Sequence, residues 1–98
     1  MNTLAKFELM EKITRELEDL KNSQTAVLQK ITKIEVDNIE LANAKLESTL
    51  PDIHQSAADI IDNIGEVLNN FGEIKDSFEK KNNISGLKEK DAIDSVKK

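Results

Sequence analysis

From Leu50 to Phe78 the apolar residues recur at alternating spacings of three and four without a miss: Leu50, Ile53, Ala57, Ile60, Ile64, Val67, Phe71, Ile74 and Phe78. Such a heptad stripe confines the segment to a helix, and the stripe is stable only when another helix covers it. Catalytic chemistry needs polar groups converging on one point. This chain instead concentrates its order in a long adhesive face.

Composition points the same way. Hydrophobic residues make up 38% of the 98 positions, with three Phe and neither Trp nor Tyr, while 34% are charged. A chain this charged and this poor in aromatics folds only as long helices burying one stripe each, or stays disordered, and the sustained periodicity selects helices. Three Gly and one Pro are too few for the turns of a sandwich or barrel. The expected fold is all-α, a long helical hairpin of coiled-coil-type helices assembling into an oligomeric helical bundle.

A second heptad frame lies upstream, at Met10, Ile13, Leu17, Leu20, Gln24, Val27, Ile31 and Ile34, preceded by the capping-type residues Asn2 and Thr3. Gln24 alone interrupts it. A polar residue at a core position either specifies register and partner number or is tolerated in a loosely packed layer. Past Ile34 the stripe changes side, because the downstream frame extended backwards takes in Val36, Ile39, Asn43 and Leu46, five residues out of phase with the first. Five residues turn a helix by about 500°, so the two stripes stand roughly 140° apart and the region from Ile31 to Leu46 is apolar on two sides.

Pro51 is harmless only in a first helical turn, and Thr49-x-x-Asp52 has the form of a capping box. This predicts a hairpin over 1–82, with one helix over about 3–47, a second over about 50–81, and a flexible or weakly helical basic tail over 83–98 anchored by Leu87, Ile93 and Val96. The alternative is one kinked rod of nearly 80 residues, exceeding about 110 Å.

With Leu50, Ala57, Ile64, Phe71 and Phe78 at heptad position a, the c positions Asp52, Asp59, Glu66 and Glu73 are all acidic, and Ala58, Gly65 and Gly72 fall at b. Two glycines on one helix face suggest either close approach of a neighbouring backbone or local flexibility. The acidic residues stand about 10.5 Å apart, too far to share a metal ion or act as a paired acid and base. They form a solvated face, or alternatively dock a basic partner.

The sole histidine, His54, has no further His or Cys with which to build a zinc site or triad, and there is no phosphate-binding loop. No enzyme activity, cofactor or metal is expected. Net charge is −5, split as −2 over residues 1–50, −6 over 51–79 and +3 over 80–98, so the acidic body disfavours nucleic acid and anionic lipid. No apolar run is long enough to span a membrane, and the start MNTLAKFELMEK lacks the apolar stretch of a signal peptide, which makes a cytoplasmic location the expectation, with signal-less export compatible.

The expected partner is therefore another protein engaged through helices, as a homo-oligomer or a hetero-complex of small helical chains. The residues expected at such interfaces are Leu17, Leu20, Val27, Ile31, Ile34, Val36, Ile39, Leu46, Ile53, Ile60, Ile64, Val67, Phe71, Ile74 and Phe78. Two functions are compatible with this: a helical assembly or adaptor subunit, and a small acidic chaperone or inhibitor that masks a partner's helix or basic surface.

Overall fold

The computed structural model describes residues 2–97, with side chains described through residue 90; the expected anchors Ile93 and Val96 therefore lie outside the described side chains. Helix α1 spans Thr3–Leu41, α2 spans Ala44–Lys81 and α3 spans Ile84–Lys97. The described residues contain no strand. Helices α1 and α2 pack along their length as an antiparallel hairpin, and α3 folds back over its open end.

Local chemistry explains each boundary. Asn2 caps α1, its side-chain oxygen accepting from the Ala5 N–H at 2.7 Å. The helix ends at Ala42, whose left-handed backbone (φ 55°, ψ 39°) turns the chain while its N–H still reaches the Asn38 carbonyl. Asn43 then caps α2 by accepting from the Leu46 N–H at 3.0 Å. Asn38, only 7% exposed, ties the turn together: its Oδ1 accepts from the Asn43 N–H at 3.0 Å, and its Nδ2 donates to the Asn43 carbonyl at 3.3 Å. At the far end α2 closes with Lys80 and Lys81 in its last turn, where cations complement the helix dipole. Asn83 follows in the left-handed region at φ 48°.

This corrects the expected hairpin boundaries. The break lies at Ala42-Asn43, not between residues 47 and 50, and Pro51 sits inside α2. Thr49 and Asp52 are helix-interior residues, not a cap. Two asparagines whose side chains replace missing backbone partners make a better turn than a proline that only removes one. The expected tail is in part a helix, α3, anchored by Ile84 at 1% exposure.

The core is one residue thick. Phe7, Ile31, Leu50, Ala57, Ile64 and Ile84 are its buried apolar members. The radius of gyration is 21.3 Å and the extents are 69 × 25 × 18 Å, whereas a compact domain of this length has a radius near 13 Å. Consequently the chain exposes 7404 Å², against roughly 5,600 Å² for a compact monomer of this mass.

Candidate helix-packing surface

Extending the heptad letters to α1, with Met10, Leu17, Gln24, Ile31 and Asn38 at a, shows which stripes the hairpin uses. The residues turned inward are those at a and e: Leu17, Gln24, Ile31 and Asn38 with Phe7, Thr14, Lys21, Leu28 and Glu35 on α1, and Leu50, Ala57, Ile64, Phe71 and Phe78 with His54, Ile61, Leu68 and Lys75 on α2. All are buried or half-buried. The seam is thus a/e and not a/d. Either flank closes a two-helix seam around a, but only e brings Phe7 onto Phe78 and Glu35 onto His54. The rings of Phe7 and Phe78 stack with centroids 6.4 Å apart, and His54 Nδ1 lies 2.6 Å from Glu35 Oε1.

The d residues are left over. Leu20, Val27, Ile34, Ile53, Ile60, Val67 and Ile74 are each between 43% and 50% exposed, and Ile13 is half-buried. On a helical wheel d lies about 80° to one side of an a/e seam and b about 80° to the other, and antiparallel helices turn like-lettered flanks to the same side. The two d rows therefore share one face of the hairpin. They also share its levels. Counted from Phe7 opposite Phe78, Ile74 falls two residues short of level with Ile13, about 3 Å; counted from Glu35 opposite His54, Ile53 falls two residues off Ile34 in the opposite sense. The two anchors bracket four rungs: Ile13/Ile74, Leu20/Val67, Val27/Ile60 and Ile34/Ile53.

The rim of this face is uncharged along α2, where position g holds Ser56, Asn63, Asn70 and Ser77, and mixed along α1, where it holds Leu9, Glu16, Ser23, Lys30 and Asp37. The acidic ladder Asp52, Asp59, Glu66 and Glu73 is exposed on the side of α2 away from α1. Its one side-chain bond is Gln55 Nε2 to Asp59 Oδ1 at 2.8 Å. Among the described residues no group of His, Asp or Glu is placed to hold a metal ion, and no helix is long and apolar enough to cross a membrane.

The opposite, b face differs in kind. At its turn end an open groove of about 560 Å³ is lined by Thr32, Glu35, Val36, Asn38, Ile39, Ala42, Leu46, Glu47, Leu50, Pro51 and His54. The phase change in the heptads marks this turn: Val36 and Ile39 are exposed at the end of α1, Ile39 at 80%, and Leu46 is half-buried at the start of α2. Farther along, Gly65 and Gly72 do not admit a neighbouring backbone within the chain. An added Cβ would meet only the Lys21 ammonium, at 3.8 Å, from Gly65 and nothing within 4 Å from Gly72. At the open end Lys88 of α3 reaches Glu11 at 3.4 Å and stands over the Phe7 ring at 5.1 Å. Both targets lie on the e/b side, so this contact of α3 is made away from the d face.

The expected interface residues thus divide into three sets. Leu17, Ile31, Ile64, Phe71 and Phe78 lie on the seam within the hairpin, Leu20, Val27, Ile34, Ile53, Ile60, Val67 and Ile74 form the open rungs, and Val36, Ile39 and Leu46 line the groove at the turn. Phe7, absent from the expected set, is the most buried aromatic at 3% exposure; its place ten residues before Leu17 at a, hence position e, was the available signal. No family model, curated protein or solved structure matches this chain.

Proposed function

We propose that this chain is a non-enzymatic helical assembly or adaptor subunit that works through helix-bundle contacts with another protein. The carrying observation is the four-rung d face, where both long helices present aliphatic side chains at matched levels and no described element of the chain covers them. Water is a poor neighbour for such a face: burying apolar surface stabilises by about 25 cal/mol per Å², and contiguous exposed patches of this kind mark interaction sites.

The test is the mass of the purified chain in solution, alone and with whatever co-purifies. A defined complex that is lost on Val27→Lys, with helicity retained, supports the reading. A monomer that binds nothing and is indifferent to Val27→Lys refutes it.

A further inference from the structure

We propose that the occupant of the d face is a second copy of this chain, seated antiparallel so that α1 lies on the partner's α1, α2 on the partner's α2, and the two turns point to opposite ends of a four-helix bundle. The proposal rests on the reading of the d face as a bundle interface and specifies what fills it.

Two arrangements of two-fold symmetry place the d faces together. With the axis along the hairpin, α1 faces the partner's α2 and the turns lie at one end. With the axis across the hairpin, each helix meets its own copy, head to tail. Rim chemistry separates them. In the crosswise arrangement the centre of the ladder, between the rungs of Leu20 and Val27, maps Leu20 onto the partner's Val27 and Ile13 onto the partner's Ile34. The g positions of antiparallel helices meet on the outer side of such a seam. Glu16 then meets the partner's Lys30, Lys30 meets the partner's Glu16, and Ser23 meets its own copy near the axis. Along α2 Asn63 meets its own copy and Ser56 meets the partner's Asn70. Asp37 opposite Leu9 is the one unmatched pair.

Under the lengthwise arrangement the charged α1 rim instead faces the neutral α2 rim, leaving Glu16 and Lys30 without opposite charges. The pattern is self-complementary only when crossed. Glu16 is free to make this contact, since its ion pair to Lys12 is long at 3.9 Å and its side chain is 62% exposed. Most of the −5 sits with α2, whose acidic ladder at c stands about 100° round the helix from d, on the edge of the bundle and outside the apolar rungs.

The chain has no cysteine, which makes cross-linking a clean readout of orientation. In the full chain under mild oxidation, Ser23→Cys should give a disulfide dimer in high yield, and Asn63→Cys likewise. Mixing the two variants should add no disulfide between position 23 of one copy and position 63 of the other beyond collision controls. A predominance of that mixed product overturns the antiparallel arrangement.

Sedimentation supplies the second arm. The unmodified chain should run at twice 11.0 kDa at micromolar concentration. Glu16→Lys and Lys30→Glu should each weaken dimerisation by about 3- to 10-fold, and the double swap should restore it. Equal losses that add in the double variant count against the Glu16–Lys30 contact. Val27→Lys should raise the dissociation constant by at least about 100-fold with helicity by circular dichroism retained, because it sets a cation into the apolar rungs. A chain that is monomeric alone yet holds a different protein in a Val27-dependent manner overturns the second copy and leaves the interface reading standing. A monomer indifferent to Val27→Lys overturns both.

Discussion

Phe7 stacks on Phe78 with ring centroids 6.4 Å apart and planes within 10° of parallel, clasping the start of α1 to the end of α2. Three ammonium groups surround the pair: Lys6 at 5.6 Å from the Phe78 centroid, and Lys75 and Lys88 at 6.0 Å and 5.1 Å from that of Phe7. At the other end of the hairpin Asn38 and Asn43 set the turn. Register is therefore determined at both ends, and the d rungs between them are carried into alignment.

Phe7→Ala removes the largest buried side chain of that clasp and should destabilise the chain by about 3–5 kcal/mol. Phe7→Leu, which keeps most of the volume, should cost less than half as much. Urea titration followed by circular dichroism measures both, and equal effects would show that the retained volume contributes nothing to the clasp.

Asn38→Ala removes both side-chain bonds that hold the turn and should cost about 1–3 kcal/mol, with the Asn43 amide left without its partner. Hydrogen exchange at Asn43 should accelerate more than at mid-helix amides. Uniform protection along the chain would mean the turn is held by packing alone.

Pro51 lies in the interior of α2, where it supplies no N–H for the Glu47 carbonyl, and its side chain is exposed. Pro51→Ala restores that bond and should raise stability by about 1–3 kcal/mol. A lower melting temperature would instead assign the proline a packing role along the turn-end groove.

Gly72 has open space where a Cβ would stand. Gly72→Ala should therefore raise helicity and stability by up to about 1 kcal/mol, while Glu73→Gln on the solvated ladder should change stability by less than about 0.5 kcal/mol. Weakened assembly in Gly72→Ala would point to a partner backbone on the b face, as the glycine spacing alone suggests.

The all-α class and the two apolar helices were legible in the sequence, because a period near 3.5 residues sustained over many turns admits no other regular structure. The caps at Asn2 and the helix end near Asn82 were legible for the same local reason: a side chain replaces a backbone partner a few residues away. The turn was less so. Pro51 carries a strong local signal, but Asn38, Ala42 and Asn43 act jointly, and their combined hydrogen bonds outweigh the proline. What only the tertiary structure decided is which flank of the stripe each helix buries. On α2 position d is uniformly aliphatic (Ile53, Ile60, Val67 and Ile74) while e mixes Ile61 and Leu68 with His54 and Lys75. A helix alone therefore favours burying d, and e turns inward only because of what it meets across the hairpin. The choice falls to long-range pairs, Phe7 with Phe78 and Glu35 with His54, which meet only when e faces inward, and that choice is what turns the d rows of both helices outward onto a single face.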